Sequence, residues 1–330
     1  YCSFNTYVDK FETQSKYMGA LYKQLTFELE RFDVKPKSVS TLFIGGGTPS
    51  TINPELYAPI FRLLKTYLMD HAEITTEANP NSANNAWLEG MKGLGINRIS
   101  FGVQSFDPQK LKALNRAHNP KQAKDAIHYA KEIGFRHLSL DLIYNYKGDT
   151  KRLLLNDINE AFTLPIDHIS AYELTIEDGT KFSHTPEVRQ EDENLAFFVT
   201  EEIEKRGFNA YEISNFGTYQ SQHNKGYWEL KNYIGAGAGA VGFLKDRRYY
   251  PQTDIDSYVA NPLLIKEESL TSDELLTEKI FLGLRSTVGI EKSCLSKKMI
   301  EKAEYLCKKK KLLSNSTHYY NKNFFLSDEL

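Results

Sequence analysis

The sequence predicts an α/β fold built on a parallel sheet, with a smaller α+β segment after it. Two observations carry this. From residue 38 to residue 214, short runs rich in β-branched and aromatic residues alternate with helical patterns, the signature of βαβ units. The alternation then stops, and residues 251–330 read as charged helices followed by a hairpin. At 330 residues the chain exceeds one average domain, yet a large α/β barrel can hold most of it.

Taken in order, residues 11–31 form an amphipathic helix, because Tyr17, Leu21, Leu25 and Leu29 recur at every fourth position. Lys35-Pro36 breaks it, and Ser38–Ile44 is a strand that stops at Gly45. Asn53-Pro54-Glu55 starts a helix, with Asn as cap and Pro in the first turn, expected to run to about Asp70. Strands follow at Glu73–Ala78, Arg98–Gln104, His137–Tyr144, His168–Leu174 and Phe208–Ser214, which makes six. Between them lie helices at Asn84–Leu94, Pro108–Leu114, Pro120–Ile133, Thr150–Phe162 and Glu191–Lys205, several closed by glycine. Residues 215–250 are rich in Gly, Asn and Tyr. Ser272–Leu284 and Lys297–Lys310 are helices, and Tyr319-Tyr320 with Phe324–Leu326, around Asn321–Asn323, suggest a small ribbon of winged-helix type. The boundary is placed near residue 250, with 1–250 as the barrel and 251–330 as the appendage.

Bulk properties narrow the function. A net charge of −2 offers no basic field for nucleic acid. No apolar run reaches the ~18 residues of a membrane span. Three cysteines, an odd number, argue against a disulfide framework and for a reducing, cytoplasmic compartment. Cys294 and Cys307 lack partner histidines at metal-ligand spacing and read as semi-buried thiols. The Lys308–Lys311 run at a helix end suits the helix dipole. Peripheral contact with an anionic membrane surface is the alternative.

In a parallel barrel, chemistry sits at the C-terminal ends of strands. Those ends hold Gly45-Gly46-Gly47-Thr48, then Glu77, Gln104, Asp141, and Glu173 with Thr175; Arg116 follows the third strand. Glycines there let a ligand approach the backbone closely. Singly, each has a plainer use: the glycines can make a turn, Glu77 or Asp141 can cap a helix, and Arg116 can be a surface cation. Together they would ring one mouth with the groups a zwitterionic ligand requires.

Tyr1-Cys2-Ser3-Phe4, the Gly45–Ser50 run, Glu77-Ala-Asn-Pro, Gly102-Val-Gln-Ser-Phe, Leu114-Asn-Arg-Ala-His and Asp141-Leu-Ile-Tyr occur in this order. They resemble the radical S-adenosylmethionine (SAM) superfamily, in the branch of oxygen-independent coproporphyrinogen III oxidases. The resemblance covers roughly residues 1–250. It implies a partial (β/α)6 TIM-like barrel, with SAM across the open rim and a [4Fe-4S] cluster held by three cysteines in C-x3-C-x2-C. Cys2 would be the third of these, with Tyr1 beside the cluster. The first two cysteines and a seventh strand would lie before residue 1. Carried over, Gly46, Gly47 and Thr48 resemble the segment that holds the methionine amino end, and Glu77 a SAM-contacting glutamate. Arg116 matches the partner of the SAM carboxylate, a bidentate task suited to guanidinium. Gln104 and Asp141 match the ribose partners, while Thr175 and Val241 fall where the family lines SAM less specifically. The cluster would supply the electron that cleaves the sulfonium bond to give a 5′-deoxyadenosyl radical, which a closed barrel protects.

Two features bear on the branch. The porphyrinogen-oxidising enzymes carry another cysteine two residues after the third, where this chain has Phe4. Cys-x-Phe and His223-Asn-Lys-Gly-Tyr-Trp228 are similar instead to the HemW-type heme chaperones. The resemblance then implies heme contact at His223, with Tyr227 and Trp228 against the porphyrin, and delivery to heme-acceptor proteins. The plainer reading makes Trp228 a plug and His223 a turn cap. Coproporphyrinogen III oxidation, and an ordinary barrel lyase using Glu77 and Asp141 as acid and base, are the alternatives. The glycine-rich stretch from Ile234 to Phe243 is a poor dinucleotide fingerprint, since no strand–helix crossover with an acidic residue follows.

Overall fold

The computed structural model describes residues 11–329. The chain forms two compact units: residues up to Ala210 with Ser214–Gln220, and Tyr211–Ile213 with Ser221 onward.

The first unit holds a seven-stranded sheet in the order β1-β2-β3-β4-β5-β7-β6. Its strands are β1 Val39–Ile44, β2 Leu68–Ala78, β3 Arg98–Gln104, β4 His137–Tyr144, β5 His168–Glu173, β6 Asn209–Ala210 and β7 Asn215–Gly217. The first five pair in parallel and in sequence order. The crossover helices are α2 Pro54–Leu64, α3 Asn85–Gly93, α4 Pro108–Ala113 with α5 Pro120–Glu132, and α6 Lys151–Ala161. The helix α1 Gln14–Arg31 precedes the sheet, and α7 Glu193–Glu204 leads into β6. Caps mark their starts: Asn53 accepts from Glu55 N–H, and Asn119 forms a capping box with Gln122.

Alternation along the strands separates two faces. Ile99, Phe101 and Val103 of β3 and Leu138, Leu140 and Leu142 of β4 are buried apolar side chains. The opposite face carries Thr75, Arg98, Ser100, Ser139, His168 and Ser170, all buried and all polar. One side of the curled sheet is therefore greasy and covered by helices, while its hollow is lined with hydroxyls and charge.

Two expected elements of this unit differ. The helix after Asn53 ends at Leu64 rather than near Asp70, because Thr66 and Tyr67 give their carbonyls to Lys37 and Val39 N–H and are drawn into strand pairing. The expected parallel strand Phe208–Ser214 is reduced to the two residues of β6, Asn209–Ala210. Asn215–Gly217 instead runs antiparallel to β5, and the short β6 pairs with it. Gly217 permits this return, since a Cβ there would lie 2.6 Å from the carbonyl oxygens of both Asp167 and Tyr219.

The second unit contains α8 Gln222–Trp228, α9 Ile255–Ala260, α10 Ser272–Leu284 and α11 Lys297–Lys308. Strands β8 Gly242–Leu244, β9 Arg247–Pro251 and β10 Ile265–Ser269 make one antiparallel sheet. Strands β11 Ile290–Glu291, β12 Leu312–Ser314 and β13 His318–Asn321 make another, in the order β11-β13-β12. The partner of Tyr319-Tyr320 is thus β12, not Phe324–Leu326. Asn321 and Asn323 side chains accept from Asn323 and Phe325 N–H, and these turns wind Phe324–Glu329 into a 3-10 helix. Leu284, Ile290, Ala303, Leu312 and Tyr319 form this unit's core, against which Cys294 and Cys307 pack half-buried.

Candidate functional site

The mouth of the hollow gathers most of the residues expected there. Past β1, Gly46 and Gly47 take positive φ of 74° and 38°. Gly45 is required for space: a Cβ would sit 2.5 Å from Phe43 Cε1 and 3.3 Å from Glu77 Cδ. Glu77, at the end of β2, accepts the Gly46 backbone N–H, which favours its ionised form. Burial and the neighbouring Asp141 outweigh that bond and push its carboxyl up to about 7.

Asp141 lies across the sheet on β4. It accepts from Ser100 Oγ at 3.1 Å, and Ser100 is the register partner of Glu77. Burial raises its pKa, opposed by hydrogen bonds from Ser100 and Ser170 and by the charges of Arg98 and Arg116. Arg116, on the loop after α4, donates from Nη1 to Asn79 Oδ1 at 3.3 Å. Asn79 Nδ2 in turn lies 3.5 Å from Thr48 Oγ1, and Asn79 N–H donates to Ser50 Oγ at 3.0 Å. Asn79 thereby bridges Arg116 to the Gly-Gly-Gly-Thr turn. No role was expected of it, although it stands inside the Glu77-Ala-Asn-Pro motif, two residues past Glu77.

Gln104 closes β3 with φ of +70°, a left-handed conformation unusual for a side-chain-bearing residue. Ser105 N–H donates to Val103 O at 2.9 Å across it, which makes a γ-turn. Gly102 leaves room beside it: a Cβ there would approach Gln104 Nε2 to 3.1 Å and Asn79 Oδ1 to 3.3 Å. No hydrogen bond to a described residue commits the Gln104 side-chain amide. Thr48, Glu77, Gln104, Arg116 and Asp141 therefore meet around one mouth, joined through Asn79, Ser100 and Gly102.

Thr175, Val241 and His223 have local contacts of their own. Thr175 lies two residues beyond β5 and, among the described residues, donates to Glu173 O at 3.4 Å. Val241 belongs to the second unit, where it is 38% exposed and its carbonyl faces Gly235 so closely that a Cβ there would fall 2.1 Å from it. His223 is on α8, also in the second unit. Its Nε2 lies 2.8 Å from Tyr227 Oη, and the ring of Tyr227 meets that of Tyr233 edge-on at 4.8 Å. Ser221, rather than His223, caps this helix through Asn224 N–H. Tyr1 and Cys2, like Phe4, lie outside the described residues. Among the described residues no cluster of His, Cys, Asp or Glu suits a metal ion.

The chain is 33% identical over 319 residues to the heme chaperone HemW of Bacillus subtilis, covering 90% of this chain and 83% of that protein. The chain belongs to the HemW family of radical SAM proteins. HemW of Lactococcus lactis is 32% identical over 307 residues, covering 88% of this chain and 79% of its own length. The Radical SAM superfamily model matches residues 1–161, the part that contains Gly46, Glu77, Gln104, Arg116 and Asp141. The fold is shared with coproporphyrinogen III oxidase (HemN) of Escherichia coli, at a TM-score of 0.80 and 18% identity over 99% of this chain and 84% of that one. The curled sheet is thus the partial barrel of that superfamily. Its cofactors are SAM and a [4Fe-4S] cluster, and heme is the ligand that the HemW relatives are named for. No described helix is long and apolar enough to cross a membrane.

Proposed function

We propose that the protein binds SAM and a [4Fe-4S] cluster at the mouth of its half-barrel and carries heme to acceptor proteins in the cytoplasm. The observation that carries this is the similarity to HemW proteins across nine-tenths of the chain. The mouth suits its share of the task. A guanidinium at Arg116 matches a carboxylate, Glu77 and Asp141 match an ammonium group and ribose hydroxyls, and Gln104 presents an uncommitted amide. At Gly46 a Cβ would meet nothing within 4 Å, so the turn leaves open space there. Cys2 would give its thiolate to the cluster. When bound, cluster and SAM supply reductive cleavage of a sulfonium; the residues named here bind and orient the nucleotide and exclude water.

For heme, His223 offers an imidazole on a short helix flanked by Tyr227, Trp228 and Tyr233, aromatic surface of the kind a porphyrin packs on. Ligation through Nε2 would require it to release Tyr227 Oη. The test is a heme titration of the full-length protein and of His223→Ala. The expected outcome is at least about a tenfold loss of affinity and a shifted Soret band in the variant. Equal affinity with an unchanged spectrum would remove His223 from the role.

The fold shared with HemN favours a second reading, oxidative decarboxylation of coproporphyrinogen III. Phe4, where that branch has a cysteine, speaks against it. Anaerobic turnover with SAM and a reductant decides: sustained formation of protoporphyrinogen IX would establish the enzyme in place of the chaperone.

A further inference from the structure

We propose that Asp157 and His118 are positioning residues that hold Gln104, and with it Arg116, in the geometry that receives SAM. This rests on the cofactor reading above. The starting point is the γ-turn at Gln104, a conformation that persists only where its surroundings over-determine it. Two clamps do so, one on each side of the residue.

The first acts on Val103. Its carbonyl oxygen, already bonded to Ser105 N–H, also lies 2.9 Å from His118 Nε2. A carbonyl only accepts, so His118 carries its proton on Nε2 and donates it. His118 is buried, and that burial holds its pKa below the usual range, which keeps the ring neutral. Arg116 stands two residues earlier, past the left-handed Asn115, with its N–H on Leu111 O at 2.9 Å. One imidazole thus fastens the loop that bears Arg116 to the turn that bears Gln104.

The second acts on Ser105 and Phe106. Asp157, 3% exposed on α6, accepts from Ser105 Oγ through Oδ2 and from Phe106 N–H through Oδ1, both at 2.7 Å. Ser105 Oγ also accepts Asp107 N–H at 3.0 Å. Behind the carboxylate, Lys110 Nζ stands 3.9 Å from Asp157 Oδ2 and 2.8 Å from Asp149 Oδ1, and donates to Ile143 O at 2.6 Å. Two buried aspartates and one buried lysine are a costly way to stabilise a fold, since apolar side chains of like volume usually serve as well or better. Their yield here is directional: both oxygens of Asp157 are spent on the two residues that follow Gln104.

The test is a double-mutant cycle on full-length, cluster-reconstituted protein, with SAM binding measured by anaerobic calorimetry. Asp157→Ala removes both acceptors at once, whereas an amide there could keep Phe106 N–H on its oxygen and donate its NH2 to the Ser105 hydroxyl. Expected is about tenfold weaker SAM binding with Gln104 present, and a loss below about twofold in a Gln104→Ala background. Equal losses in both backgrounds would mean that Asp157 merely supports the fold, and would overturn the inference while leaving the cofactor reading intact. A wild-type protein that binds no SAM would sink that reading, and this one with it. His118→Gln, which keeps an N–H donor, should retain affinity that His118→Leu loses; identical losses count against the clamp. Should Asp157→Ala not fold, Ser105→Ala runs through the same cycle with the same criteria. In the protein without SAM, Asp157→Ala should also speed hydrogen exchange at the Phe106 amide, and unchanged exchange there would count against the bond.

Discussion

Glu77 gives the mouth a measurable pH dependence. Its carboxyl titrates at about 7 in the folded chain, because burial and Asp141 disfavour its charge more than Gly46 N–H favours it. In the unfolded chain it titrates near the ordinary ~4.3. Between those values the unfolded state gives up its proton first, so this group's contribution to stability falls as pH rises from about 4.3 to 7. The full effect is on the order of 4 kcal/mol at most. Glu77→Gln should therefore gain on the wild type in thermal stability between pH 5 and 8 without SAM; parallel melting curves across that range would refute the assignment. On the cofactor reading proposed above, SAM reverses the sign, since its ammonium group would lie beside Glu77 and favour the carboxylate. Affinity should climb with pH up to about 7, and Glu77→Gln should flatten the climb. Family-like motifs made Glu77, Gln104, Arg116 and Asp141 legible in the sequence as candidates, the first two near strand ends, Arg116 on the loop after α4 and Asp141 within β4. Asn79 and His118 were not legible, although both lie inside recognisable motifs. Their importance comes from what they bridge, and a bridge between distant segments leaves no local pattern.

At the scale of elements, the parallel strands and their helices follow from hydrophobic period and caps, which are local signals. Where pairing with a distant segment decided the outcome, local signals fell short. The run from Phe208 reads as a strand, yet β5 takes Asn215–Gly217 as its neighbour, in which Asn and Gly have little strand preference of their own. Tyr67 and Leu68 read as the end of a helix until β1 claims their backbone. Gly217 offers the sharpest test of the antiparallel return. The atoms that a Cβ would strike at 2.6 Å are backbone oxygens of Asp167 and Tyr219, which cannot rotate aside. Gly217→Ala should cost about 2–4 kcal/mol in urea denaturation. A cost under about 0.5 kcal/mol would show that β7 has room to shift.

At the scale of the whole molecule, each unit has its own core and should register damage separately. Tyr319 is fully buried in the second unit, and its hydroxyl donates to Glu304 at 2.5 Å. Tyr319→Ala should cost about 3–5 kcal/mol there. Hydrogen exchange should accelerate through β11, β12 and β13 while β3 and β4 keep their protection; uniform acceleration would mean that the units unfold as one. The path of the backbone adds a practical consequence. It leaves the barrel unit after Ala210, re-enters it at Ser214 and leaves again after Gln220. The three residues of the detour matter to the second unit: Tyr211 O accepts Thr287 N–H, Tyr211 Oη accepts Ser221 N–H, and Glu212 bridges to Ser286. No single cut liberates either half whole. A truncation ending at Gln220 keeps an orphaned tripeptide, and one beginning at Ser221 forfeits an anchoring strip. A split-protein or domain-transplant scheme must accordingly sever the chain at three places or at none.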